Sequence, residues 1–116
     1  MSTPEGLITD PEDHRLSMYL RLKDRDVRRE TGLFLAEGEH VVRRAFAAGL
    51  RVESVLVVET KAKRVAAMVA TASLTQNVIE ILVCSKAVME QAVGMRLHQG
   101  IIAAVQPPTS PALDEV

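Results

Sequence analysis

Apolar residues occur in two rhythms along this chain. Short continuous runs, the form a buried strand takes, alternate with stretches where apolar side chains recur every three or four positions, as in an amphipathic helix. The stretch that organises the rest is 33–49. It opens with Leu33, Phe34, Leu35 and Ala36 and changes at Gly38 to helical period. From there Val41, Val42, Ala45, Phe46 and Ala48 share one face, and His40, Arg43, Arg44 and Ala47 turn the other way. Gly38 serves as N-cap, and Gly49 stands where a left-handed C-cap residue belongs. A second apolar run at 53–58 completes strand, helix, strand within about 30 residues, a βαβ unit with a right-handed crossover. Its first strand is expected in the interior of the sheet.

The flanking stretches follow the same alternation. Residues 1–9 read as a loose leader. Asp10, Pro11, Glu12 and Asp13 form a helix start, with Asp10 as cap and Pro11 at the first helical position. Leu16, Tyr19, Leu20 and the stem of Lys23 make the inner stripe, while His14, Arg15, Arg21 and Arg25 face outward; Thr31 and Gly32 end the helical region. After the second strand Thr60 caps a helix striped by Ala62, Val65, Ala66 and Val69. Residues 72–77 are polar loop, 78–84 a third strand, and Ser85 caps a short helix through Val88, Met89 and Ala92. Residues 94–100 form a turn-rich loop into a last strand at 100–105, after which Pro107, Pro108 and Pro111 break regular structure. The expected fold is a three-layer α/β/α sandwich on a mostly parallel or mixed sheet of about four strands. Its parts are the leader at 1–9, one domain at 10–106 and a linker at 107–116.

Composition supports this reading: 116 residues, 47% hydrophobic, only 3% aromatic and no Trp describe one domain with a core of aliphatic side chains. The single cysteine, Cys84, lies in an apolar run, reads as an inert core thiol and favours a reducing compartment. With no signal peptide or transmembrane stretch, the expected location is cytoplasmic and no membrane partner is implied. The net charge of −1 conceals a basic middle: residues 15–64 carry twelve of the fourteen Lys and Arg against seven acids. Part of that excess fits a solvated helix with i,i+4 pairs, since Asp24, Asp26 and Glu30 interrupt the basic series. Lys61, Lys63 and Arg64 crowd a helix start, where the macrodipole disfavours cations. Either solvent screens them or an anionic partner exploits them.

Candidates for chemistry are few. His14, His40 and His98 lack metal spacing, one cysteine cannot build a zinc site, and no metal is expected. No Ser-His-Asp order, phosphate-binding loop or dinucleotide fingerprint is present. Glu37 and Glu39 straddle Gly38, as dipole partners of a helix start more readily than as acid and base. His98 and Gln99 before Gly100 could bond nucleotide edges or phosphates, or simply form a turn.

Taken together, Phe34-Leu35-Ala36-Glu37-Gly38, the helix ending Ala47-Ala48-Gly49, and His98-Gln99-Gly100-Ile101-Ile102-Ala103 resemble the N-terminal substrate-binding domain of SpoU-type (TrmH-like) RNA 2′-O-ribose methyltransferases of the SPOUT, or trefoil-knot, class. The opening Asp10-Pro11-Glu12-Asp13-His14-Arg15-Leu16, with Tyr19, Leu20, Leu22, Arg28 and Arg29, is similar to the actinobacterial branch. The resemblance runs from about Asp10 to Val105 and implies a fold like that of kink-turn-binding ribosomal proteins. It implies an RNA-recognition role on structured rRNA or tRNA. It also implies a catalytic domain beyond this stretch, which holds S-adenosylmethionine and a catalytic arginine and joins the parent as a homodimer. The stretch at hand is then expected to bind no cofactor, to have no catalytic residue and not to methylate by itself. Arg15, Arg28, Arg29, Arg43, Arg44 and Gln99 are the expected RNA contacts, with Glu37, Gly38, His98 and Gly100 as motif positions. Few aromatics argue for backbone contacts over base stacking. The competing reading is a non-catalytic protein-interaction or dimerisation module.

Overall fold

Phe34–Glu37 (β1), Val52–Val58 (β2), Glu80–Cys84 (β3) and Ile101–Val105 (β4) form one mixed sheet in the order β1-β4-β2-β3. The structure is a computed structural model that describes residues 6–22, 24–72, 79–93 and 100–107. Strand β4 runs antiparallel to β1 and to β2, and β2 pairs in parallel with β3. The four strands begin and end within two residues of their expected bounds.

Their order corrects the βαβ expectation. β1 and β2 are both antiparallel to β4, hence parallel to each other, but β4 is inserted between them. β1 is therefore an edge strand and not an interior one. Burial shows why: the four residues of β1 include one buried side chain, whereas all five of β4 are buried. The longest, most continuously apolar strands occupy the middle of the sheet, where both faces are covered.

Side chains alternate across the sheet into two apolar layers. Ile102, Ala104, Leu56, Val58, Leu82 and Cys84 face one side, with Leu16, Tyr19, Leu22, Val88 and Met89 packed on them. Ile101, Ala103, Val105, Val55 and Val57 face the other, beneath Val42, Ala45, Val65 and Val69. The first layer is built by Ser17–Arg21 (α1), Arg25–Thr31 (α2) and Lys86–Val88 (α5), the last continuing as a π-helical turn, Met89–Val93. The second is built by Glu39–Ala47 (α3) and Ala62–Ala72 (α4). This is the expected α/β/α sandwich. Ser54 is the buried polar side chain among the described residues of the core, and its Oγ lies 2.6 Å from the Tyr19 hydroxyl. Burial pushes the Tyr19 phenol well above its ordinary pKa, so it stays protonated and able to donate.

Local signals set most element ends. Gly32 and Gly49 take positive φ at the ends of α2 and α3, and Ser85 Oγ accepts from Val88 N. The first helix starts later than Asp10. Asp10 Oδ1 instead closes a tight turn onto Glu12 N, and Asp13 caps a 3₁₀ turn, His14–Leu16, that leads into α1. Thr60 lies within a second 3₁₀ turn, Glu59–Lys61, that precedes α4. Residues 6–9, placed in the leader by composition, are tied down: Ile8 is fully buried, donates to the Val83 carbonyl and bridges Cys84 along the edge of β3. Residues 1–5, Lys23, most of the loops at 72–77 and 94–100, and the tail beyond Pro107 lie outside the described residues.

Arg15 secures that docked segment. Its guanidinium meets both Asp13 carboxylate oxygens, at 3.0 and 2.8 Å, and donates to the Gly6 carbonyl at 2.9 Å. These bonds hold the Asp13 carboxyl at a pKa of about 2, below its ordinary 3.8. The folded-state value is depressed, so the stabilisation is present above about pH 4 and lost as pH falls toward about 2. Carboxyl titration followed by NMR should show Asp13 with this low midpoint, and Asp13→Asn should remove its share of the acid sensitivity. A midpoint near the ordinary value would mean that the pair does not form in solution.

Candidate nucleic-acid interface

The glycine turns singled out in the sequence meet at one edge of the sheet. Gly38 N donates to the Ile101 carbonyl at 2.8 Å, and Val58 N donates to the Gly100 carbonyl at 2.9 Å. The carboxyl ends of β1 and β2 thereby flank the start of β4. Gly38 has φ +97° and Gly100 φ +64°, backbone that favours glycine. A Cβ on Gly100 would lie 2.8 Å from a Val58 methyl and 3.7 Å from Lys61 Cδ, so the lysine stem runs over this turn. In open α/β sheets the carboxyl ends of parallel strands are the usual place for a ligand.

Helices α3 and α4 both begin at this edge and share an ion-pair cluster. Glu39, in the first turn of α3, accepts from Arg43 Nε at 3.0 Å and Nη2 at 2.9 Å through Oε2. Through Oε1 it accepts from Arg64 Nη1 of α4 at 3.0 Å. The two guanidinium groups, Arg64 first, hold the Glu39 carboxyl below the usual carboxylate range. Glu39 thus supplies an anion to the cation-crowded start of α4. Arg43 and Arg64 keep 52% and 59% of their side chains exposed, against 21% for Glu39. The helix-start position of Glu39 and its i,i+4 spacing to Arg43 were legible in the sequence. Arg64 was not among the expected contacts, because its link to Glu39 spans 25 positions.

The other expected contacts are divided between the two layers. Arg43 and Arg44 are exposed on α3, over one face of the sheet. Arg15, Arg28 and Arg29 belong to the helical layer over the opposite face. Arg15 is committed to Asp13 and Gly6, and Arg28 Nη1 donates to the Leu22 carbonyl at 2.7 Å, while Arg29 is exposed. Glu37 is exposed at the end of β1. His98 and Gln99 lie outside the described residues. A separate cleft of about 290 Å³ between α1 and α2 is lined mostly by Met18, Leu22, Val27 and Leu33, with Arg21 and Thr31 beside them. Its apolar walls offer few groups that could hold an anion.

Among the described residues, no group of three or more His, Cys, Asp and Glu could hold a metal ion, and no helix is long and apolar enough to cross a membrane. Cys84 is buried, and desolvation raises its thiol to about 11, outside the range of a reactive thiolate.

Comparison with known proteins identifies this arrangement. The family described as MRM3-like substrate binding domain matches residues 15–103, which include β1, β2, β3, the first three residues of β4 and both helices of the ion-pair cluster. The chain belongs to that family. The substrate-binding-domain resemblance drawn from the sequence therefore holds for the domain. Among solved structures, AdoMet-bound rRNA methyltransferase from Sinorhizobium meliloti superposes with a TM-score of 0.70 at 19% identity, covering 93% of this chain and 39% of that one. An RNA 2′-O ribose methyltransferase matches with a TM-score of 0.66 at 26% identity, covering 90% of this chain and 39% of its own. The SpoU methyltransferase AviRb from Streptomyces viridochromogenes, with AdoMet, gives 0.61 at 18% identity, covering 90% of this chain and 36% of its own. The chain thus spans less than two-fifths of the length of these three structures. No curated protein matches it.

Proposed function

We propose that this domain docks structured RNA, rRNA or tRNA, for an S-adenosylmethionine-dependent 2′-O-ribose methyltransferase that works in the cytoplasm as a homodimer. The carrying observation is the match of residues 15–103 to a substrate-binding domain family. In this reading the methyl donor and the catalytic arginine belong to a catalytic domain of the parent enzyme. The domain at hand contributes affinity and placement. Ribose methylation must select one nucleotide within folded RNA, so the surface has to read phosphate positions and shape. The docking face lies over α3 and the start of α4, where Arg43, Arg44, Lys63 and Arg64 are exposed on one layer. Arg15 and Arg28 belong to the opposite layer, where they hold the Gly6 segment and the Leu22 carbonyl.

The protein-interaction reading has one observation of its own: Val41 is 44% exposed on the flank of α3 turned away from α4, beside edge strand β1. A single apolar side chain of that kind is ordinary on a protein surface, so RNA docking is the better reading. Binding of the full chain to rRNA and tRNA transcripts, measured from about 50 to 200 mM salt, tests it. The expected result is saturable binding with log K falling linearly in log salt, at a slope of about −0.9 per phosphate neutralised. Absence of saturable binding, with salt-insensitive self-association in its place, would end the RNA reading.

A further inference from the structure

The Glu39 cluster has more cation than its own carboxylate can satisfy. One carboxylate at the junction of α3 and α4 holds two arginines from different helices, leaving a net charge of +1. A guanidinium carries five N–H donors in a planar fork. Arg43 gives Nε and Nη2 to Glu39, and Arg64 gives Nη1. The remaining donors of both side chains have no protein acceptor among the described residues, and each side chain is more than half exposed. Each guanidinium is fixed on one side and open on the other. A bridge serving stability alone would need only one cation and would gain little at such exposure. Two cations pinned by a shared anion lose less side-chain freedom when a second anion arrives.

We propose that Glu39 acts as a positioning residue that holds Arg43 and Arg64 as a two-pronged clamp for one phosphodiester of the RNA backbone. This rests on the RNA-docking reading and narrows it to one contact. Phosphate suits the open side because its oxygens accept paired N–H bonds from a guanidinium fork. The clamp joins α3 to α4 beside the turns at Gly38 and Gly100, so a phosphate held there is registered against the sheet edge. Lys61, with its stem over Gly100, adds positive potential at that edge.

The test uses the full chain, fluorescently labelled rRNA and tRNA transcripts and thermal melts of every variant. Arg43→Ala and Arg64→Ala should each weaken binding roughly tenfold and reduce the salt slope by about one. Arg43→Lys and Arg64→Lys keep the charge but lose the fork, so they should weaken binding with little change of slope. Arg21→Ala, exposed on α1 in the opposite layer, should change neither. Glu39→Gln is decisive because two accounts predict opposite signs. Removing a negative charge beside the RNA should tighten binding by Coulomb attraction alone, whereas loss of positioning should weaken it. Weaker binding by a folded Glu39→Gln protein supports the clamp, and equal or tighter binding overturns it. Wild-type binding with unaffected arginine variants removes the clamp and leaves RNA docking standing; no wild-type binding removes both.

Discussion

Ile102→Ala is expected to lower the unfolding free energy by about 3–4 kcal/mol, in the upper part of the range for deleting a large aliphatic side chain from a core. Ile102 is fully buried in β4, opposite Glu37 of β1 on one side and Leu56 of β2 on the other. Its side chain packs in the layer that contains Tyr19, Leu56 and Met89. Backbone on both sides limits how far that site can collapse, so most of the cavity should persist. Leu35→Ala on β1 is the comparison. Leu35 is half-buried on the edge strand, and its loss should cost only about 1–1.5 kcal/mol. Denaturant unfolding of both variants, with m-values unchanged, gives the ratio. Equal losses would contradict the placement of β4 inside the sheet and β1 at its edge.

Gly100→Ala should cost about 2–3 kcal/mol, with two separable causes. The backbone at φ +64° penalises any Cβ by about 1 kcal/mol. The new methyl would also lie 2.8 Å from Val58 Cγ2, and Val58 is β-branched and nearly buried, so it cannot swing away freely. In Gly100→Ala/Val58→Ala the steric part should disappear, so the double variant should be more stable than additivity predicts by about 1 kcal/mol. Strict additivity would leave only the backbone penalty and show that the contact is looser in solution. The same substitution disturbs the turn at the candidate RNA edge, so RNA affinity should fall with it.

Local order in this chain is encoded in neighbouring residues. Strand bounds follow from apolar runs bounded by polar breaks, and α3 from its stripe between Gly38 and Gly49. Val41 departs from that stripe because the helix flank it occupies overhangs a four-residue edge strand, with no further sheet beneath. Asp13 replaced Asp10 as helix cap because both acids can close local turns, and spacing alone does not choose between them.

The sequence by itself determined the four strands, the helices between them, the two glycine turns and the membership in a substrate-binding domain family, since each is written in contiguous residues. Only the tertiary structure decided that β4 lies between β1 and β2, that Ile8 extends the β3 edge, and that the basic residues divide between two faces. It alone joined Glu39 to Arg64 across 25 positions. The physical reason is that period and capping are energies of neighbouring residues, whereas strand order and ion pairing between helices depend on which buried surfaces meet once the chain has closed on itself.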